Sequence, residues 1–131
     1  MSTEANKTLV RRLIEEVWNT GNYAQLDELA APAFAESTKR LNQMTRTAFP
    51  DCIDTIDDMI AEGDKVVVRW TARGTHLGEW VDPWDLLAPT GKPVTFTAIH
   101  IFRIADGKIV ERWAQVDILG MLQQVDALPV R

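Results

Sequence analysis

The sequence predicts an α+β fold, with helices first and a curved antiparallel sheet after them. Three observations carry this. Apolar residues recur at helical spacing up to Ala48, and from Cys52 onward the period shortens towards two. Val94–Asp117 reads as two strands joined by a tight turn at Asp106-Gly107. The expected shape is a half-open cone, its N-terminal helices packed on the concave face of the sheet.

Ser2 or Thr3 can cap a first helix, and Glu4 suits the positive end of its dipole. Leu9, Val10, Leu13, Ile14, Val17 and Trp18 share one face, and Thr20-Gly21 ends the helix. Asn22 and Gln25 have the spacing of a capping box for a short second helix carrying Leu26 and Leu29, closed by Ala31-Pro32. A third helix is expected from about Glu36 to Ala48, stopped by Phe49-Pro50-Asp51. Ile53 and Ile56 break alternation, which predicts a bulge in a strand running to Ala61. After the turn at Glu62-Gly63-Asp64, Val66, Val68, Trp70 and Ala72 give the next strand its inward face. Gly74 to Pro93 is a long connection with Trp80 and Trp84, long and aromatic enough to suggest a functional loop or lid. Ile118, Leu119, Leu122 and Val125 indicate a terminal helix or turn.

A chain of 131 residues is most simply one domain over 1–131, and 46% hydrophobic with 25% charged residues is ordinary for a globular protein. The net charge of −5 argues against nucleic acid or an anionic membrane as partner. No apolar run follows a basic start, so no signal peptide is expected, and no stretch approaches the ~20 apolar residues of a membrane span. Cys52 stands alone, which excludes an internal disulfide and a cysteine zinc site. The expected setting is cytoplasmic.

Val94, Phe96, Ala98, His100, Phe102 and Ile104 alternate along one strand, so a single histidine stands on an otherwise apolar face. Trp18, Met44, Trp70, Phe96 and His100 would converge between helices and sheet. Each apolar member taken singly reads more readily as core filler, but together they describe an apolar small-molecule pocket with one or two polar groups inside. Asp54, Asp57 and Asp58 have no histidine nearby and read as a solvated acidic edge rather than a metal site. His76 is read as structural or exposed. GxSxG, P-loop, GxGxxG and HExxH motifs are absent.

Three stretches, NKTLVRRLIEEVWNTGNYAQLDELAAPAF (6–34), AFPDCIDTIDDMIAEGDKVVVRWTARGTHLGEW (48–80) and PTGKPVTFTAIHIFRIADGKIVERWAQVDILGMLQQ (89–124), resemble the SnoaL-like polyketide cyclase, or ester cyclase, family of the nuclear-transport-factor-2-like superfamily. The resemblance implies a cone-shaped α+β barrel with a deep pocket and no cofactor, homodimeric through the outer face of its sheet. It also implies an intramolecular aldol condensation on a polyketide ester. In that family a pocket histidine precedes the Asp-Gly turn and an acid/base aspartate follows it. His100 falls on the histidine, but Ala114 falls on the aspartate, and Arg112 replaces a histidine common in the same motif. The loop at 78–92 is also longer and richer in tryptophan than usual.

With that aspartate gone, the expected catalytic set is His100, Asp117 and Arg112, with Trp18, Met44, Trp70, Trp84 and Phe96 around the ligand and no metal. Arg112 shares parity with Ala114 and either offers a fork to an anionic oxygen or pairs on the surface. Asp117 either orients His100 or caps the helix at Ile118. The expected function is cofactor-independent acid/base chemistry on a small apolar, polyketide-like carbonyl compound. The alternatives are a binding protein that has lost the cyclase reaction, or an epoxide hydrolase or dehydratase on the same fold.

Overall fold

The computed structural model describes residues 2–81 and 86–127. Helix α1 (Thr3–Arg12) begins at Ser2, whose Oγ accepts from Ala5 N at 3.1 Å. Its continuation, Leu13–Trp18, is π-helical, with Asn19 N donating to Ile14 O at 3.0 Å. The expectation was one uniform helix. The cause of the difference lies in the doublets Leu9-Val10, Leu13-Ile14 and Val17-Trp18, which repeat every four residues. An α-helix turns every 3.6 residues, so a stripe with that repeat drifts unless the winding loosens. Loosening keeps Leu13, Ile14, Val17 and Trp18 buried together. Gly21, at φ +69°, then ends the helix as expected.

The capping box at Asn22 does not form. Asn22 Oδ1 accepts from Ala24 N in a local turn, while the Gln25 side chain is held by Arg12 and Glu16 of the first helix. Helix α2 spans only Leu26–Leu29. Helix α3 (Pro32–Ala48) starts four residues earlier than Glu36, because Pro32 closes the preceding chain and also occupies the first turn of the next helix. Phe34, Ala35, Thr38 and Ala48 are its buried residues.

Strands β1 (Ile53–Glu62), β2 (Lys65–Thr75), β5 (Pro93–Ala105) and β6 (Lys108–Val116) form one antiparallel sheet in the order β1-β2-β5-β6. The expected bulge is present between Ile56 and Asp58. A second shift lies between Arg103 and Ile104 opposite β6. The expected inward faces of β2 and β5 are buried from end to end, from Val66 to Ala72 and from Val94 to Ile104. Helix α1 packs on β1 and β2, and α3 on β6.

The long connection holds a small hairpin of its own, β3 (Trp80–Val81) paired with β4 (Leu86–Leu87). Its base is pinned to the end of α3, with Leu77 N and Gly78 N both donating to Ala48 O at 3.1 Å. His76 is fully buried and structural: Nδ1 lies 3.0 Å from Thr90 Oγ1, and the ring packs 5.5 Å from Phe49. A Cβ on Gly78 would lie 1.8 Å from Thr47 O, a backbone atom that has no side-chain freedom to give way. Gly78→Ala is therefore expected to lower stability by about 3 kcal/mol in urea melts. A loss under about 0.5 kcal/mol would show that the hairpin base is not tightly seated. Helix α4 (Ile118–Gln124) closes the open end of the sheet against β5, burying Met121 and Leu122.

Candidate active site

Between α3, the β3–β4 hairpin and the concave face of the sheet lies a cavity of about 270 Å³. Trp18, Trp70, Phe96 and His100 line it and are each at least nine-tenths buried. Leu41, Met44 and Val81 also line it but are exposed, forming an apolar rim. Trp18 is fixed by its Nε1 donating to Thr38 Oγ1 at 3.1 Å. Trp84 lies outside the described residues; from the same loop, Trp80 lines the cavity and packs 5.6 Å from Phe49.

His100 is 2% exposed, and among the described residues neither ring nitrogen has a hydrogen-bond partner. Trp18 and Trp70 meet the ring edge-on at 5.5 and 5.4 Å. Burial, with Arg112 adding to it, holds the imidazole pKa down at about 3. At neutral pH the ring is uncharged, with one N–H to give and one lone pair to receive. Trp70 Nε1 is a second buried, unpartnered donor on the same wall. These nitrogens are buried within the cavity wall, and such groups are costly to leave unmade.

Among the described residues the carboxylate lining the cavity is Asp54, which does not belong to the solvated acidic edge expected of Asp54, Asp57 and Asp58. The β1 bulge separates the three aspartates. Asp57 accepts from Thr71 Oγ1 and Asp58 pairs with Arg69, both exposed, whereas Asp54 is partly buried on the inner side and lines the cavity. Counting back by two from Ile56 would have found it, since the phase is intact on that side of the bulge. Its backbone is clamped by Asn19, which accepts from Asp54 N at 2.7 Å and donates to Asp54 O at 2.9 Å. Desolvation raises its pKa to about 6, opposed by a hydrogen bond from Cys52 and the charge of Arg46. A carboxylate poised there takes and returns protons near neutrality.

Arg112 faces the cavity; among the described residues nothing ion-pairs or hydrogen-bonds with its guanidinium, and burial lowers its pKa. Asp117 is a correction. It is exposed, does not line the cavity, and its Oδ1 accepts from Gly120 N as the cap of α4. Strand β6 ends at Val116 without the inward bend that would have turned this side chain towards His100. Among the described residues no cluster of three or more His, Cys, Asp or Glu is placed to hold a metal ion. No helix among them is long and apolar enough to cross a membrane.

The family model of the SnoaL-like polyketide cyclase matches residues 8–125. The chain belongs to this family. Among solved structures, this SnoaL-like protein is similar to TsrD from Streptomyces laurentii, at 25% identity over 98% of this chain and 99% of that one, with a TM-score of 0.87. It is likewise similar to IdmH from Streptomyces antibioticus, at 30% identity over 92% and 98%, with a TM-score of 0.76. No curated protein matches the sequence. Within the SnoaL-like frame, Ala114 is the cross-strand neighbour of His100, and its small side chain leaves an opening at the cavity wall. Among the described residues the site therefore has a carboxylate on β1 and none beside the histidine. Asp54 is aligned with Ala72 and Phe96, four residues along β5 from His100, so a ligand has to span the cavity to meet both.

Proposed function

We propose that this SnoaL-like protein is an acid/base enzyme acting on a small apolar, polyketide-like carbonyl compound, with Asp54 as its proton acceptor. The observation that carries this is a carboxyl group raised to about 6 on the wall of an apolar cavity. Asp54 removes a proton from a carbon next to a carbonyl. The N–H groups of His100 and Trp70 stabilise oxygen where negative charge develops. In a ring-forming aldol step, the resulting enolate carbon attacks a second carbonyl of the same molecule. The new alkoxide takes up a proton, and Asp54 releases the one it holds. These steps transfer protons and form one carbon–carbon bond at the expense of a carbonyl π bond, with no net oxidation or reduction, and ask for no cofactor. The separation of Asp54 from His100 suits a substrate whose acidic carbon and receiving carbonyl are distinct. The unperturbed charge balance of −5 speaks against a nucleic-acid partner, and a lone buried thiol suits the cytoplasm.

Hydrogen–deuterium exchange at the α-carbon of 2-tetralone in D₂O tests the proton abstraction. Catalysed exchange above the buffer rate is expected. Exchange at the buffer rate alone would leave a binding protein as the better reading.

We further propose a homodimer through the outer face of the sheet. Ile60, Val67, Ile101 and Trp113 are neighbours across all four strands, with Ile60 65% and Trp113 48% exposed, which makes one apolar row. Such a row suits the core of an interface. Light scattering after gel filtration is expected to give twice the chain mass for the native protein and the chain mass for Trp113→Glu. A native monomer would remove this part of the proposal.

A further inference from the structure

We infer that Arg112 is an anion subsite, and that the ligand this cavity takes is a free carboxylic acid rather than its ester. The inference rests on the cavity being a ligand site, as proposed above, and goes further by naming the charge of the ligand.

Four arginines among the described residues are half-buried: Arg12, Arg46, Arg103 and Arg112. Arg12 is held by Glu16, Glu28 and Gln25, and Arg103 by Glu111. Arg46 donates to the carbonyl oxygens of Trp18, Asn19 and Pro50. Arg112 alone has none of these, and it is the one that lines the cavity. A cation withdrawn from water without a partner is costly, and the cost is offset when an anion arrives.

The surroundings favour a carboxylate. Arg112 on β6 lies opposite Phe102 on β5, one inward position along from Ala114, which is the neighbour of His100. Its charge adds to the effect of burial on the imidazole, whereas Asp54, the one carboxylate lining the cavity among the described residues, is aligned with Phe96, four residues along β5 from His100. The cavity thus has a cationic end at Arg112, with the buried imidazole of His100 in the wall beside it, and a separate carboxylate end at Asp54. A planar guanidinium matches both oxygens of a carboxylate at once. An ester presents the same carbonyl without the charge and leaves Arg112 unpaired. The rest of the wall is mostly apolar, with Trp18, Phe96 and Met121 beside the polar Thr38, Asn42 and Thr45, and fits a largely hydrocarbon body.

Isothermal titration at pH 7.5 with 2-naphthylacetate and with methyl 2-naphthylacetate tests this without any turnover. The acid is expected to bind the native protein at least tenfold more tightly than the ester. In Arg112→Gln that preference disappears while the ester affinity stays within threefold, and Arg112→Lys keeps part of it. Equal affinity of the native protein for both compounds would overturn the anion subsite and leave the ligand cavity standing. A preference unchanged in Arg112→Gln would overturn it as well. Binding of neither compound would overturn the subsite and the cavity reading together. The native comparison needs no variant to fold.

Discussion

Asp54→Asn is expected to slow α-proton exchange by about 10²–10⁴-fold, the usual contribution of a positioned base, while making the protein more stable at pH 7. The two effects have one cause. Removing the carboxylate from water raises its pKa from 3.8 to about 6. Below pH 3.8 both the folded and the unfolded chain hold the proton, and the site contributes nothing to pH dependence. Between there and 6 the unfolded chain has released it and the fold has not, so stability falls as pH rises. Above 6 the loss is complete, and it corresponds to about 3 kcal/mol at 1.36 kcal/mol per pKa unit. Asparagine keeps the shape and an oxygen for Cys52, with no charge to desolvate. Its melting temperature should match the native protein near pH 4 and exceed it at pH 7. A solvated acidic edge, by contrast, predicts no stability gain and no loss of rate. Loss of rate without the pH-dependent gain would mean that the carboxylate matters for binding but is not held near neutrality.

The residues that were legible in the sequence are those whose periodicity is local and unbroken. His100 stands out because six consecutive inward positions of β5 alternate without interruption, and the structure keeps all six buried. Trp18, Trp70 and Phe96 follow from the same regularity. Asp54 was hidden by a bulge that lies between it and the rest of its strand, so its phase had to be counted from the other side. Pro32 was read as a stop when it is also a start, an ambiguity inherent in a residue that lacks an N–H. The capping box at Asn22 failed because Gln25 found stronger partners in Arg12 and Glu16, which no local pattern reveals. Asp117 shows the converse. A cap needs only its own backbone three residues on, and that local bond won over a distant histidine. The frame that identifies the family is thus carried by regular segments, while the position of the carboxylate turns on one irregular residue.

His100→Phe separates a working pocket histidine from one that merely fills the core. Phenylalanine has nearly the same shape and suits the ring contacts with Trp18, Trp70 and Phe102, so the fold should hold. The imidazole is held at about 3, against an ordinary value of 6.5. Below 6.5 the unfolded chain takes up a proton that the fold refuses, so the native protein loses stability as pH falls towards 3. Phenylalanine has no proton to refuse. At pH 4.5 the variant should therefore gain about 2–3 kcal/mol on the native protein relative to pH 7.5. The opposite trend from Asp54 is common to both proteins and drops out of the difference. That gain follows from burial alone, and a core histidine would show it too. Exchange rate makes the distinction: losing a donor aimed at developing charge should cost about 10²–10³-fold. A variant that is acid-resistant and fully active would reduce His100 to packing and leave Trp70 and Arg112 to hold the oxyanion. One that is acid-resistant and slow would place the unpartnered imidazole N–H at the reacting oxygen.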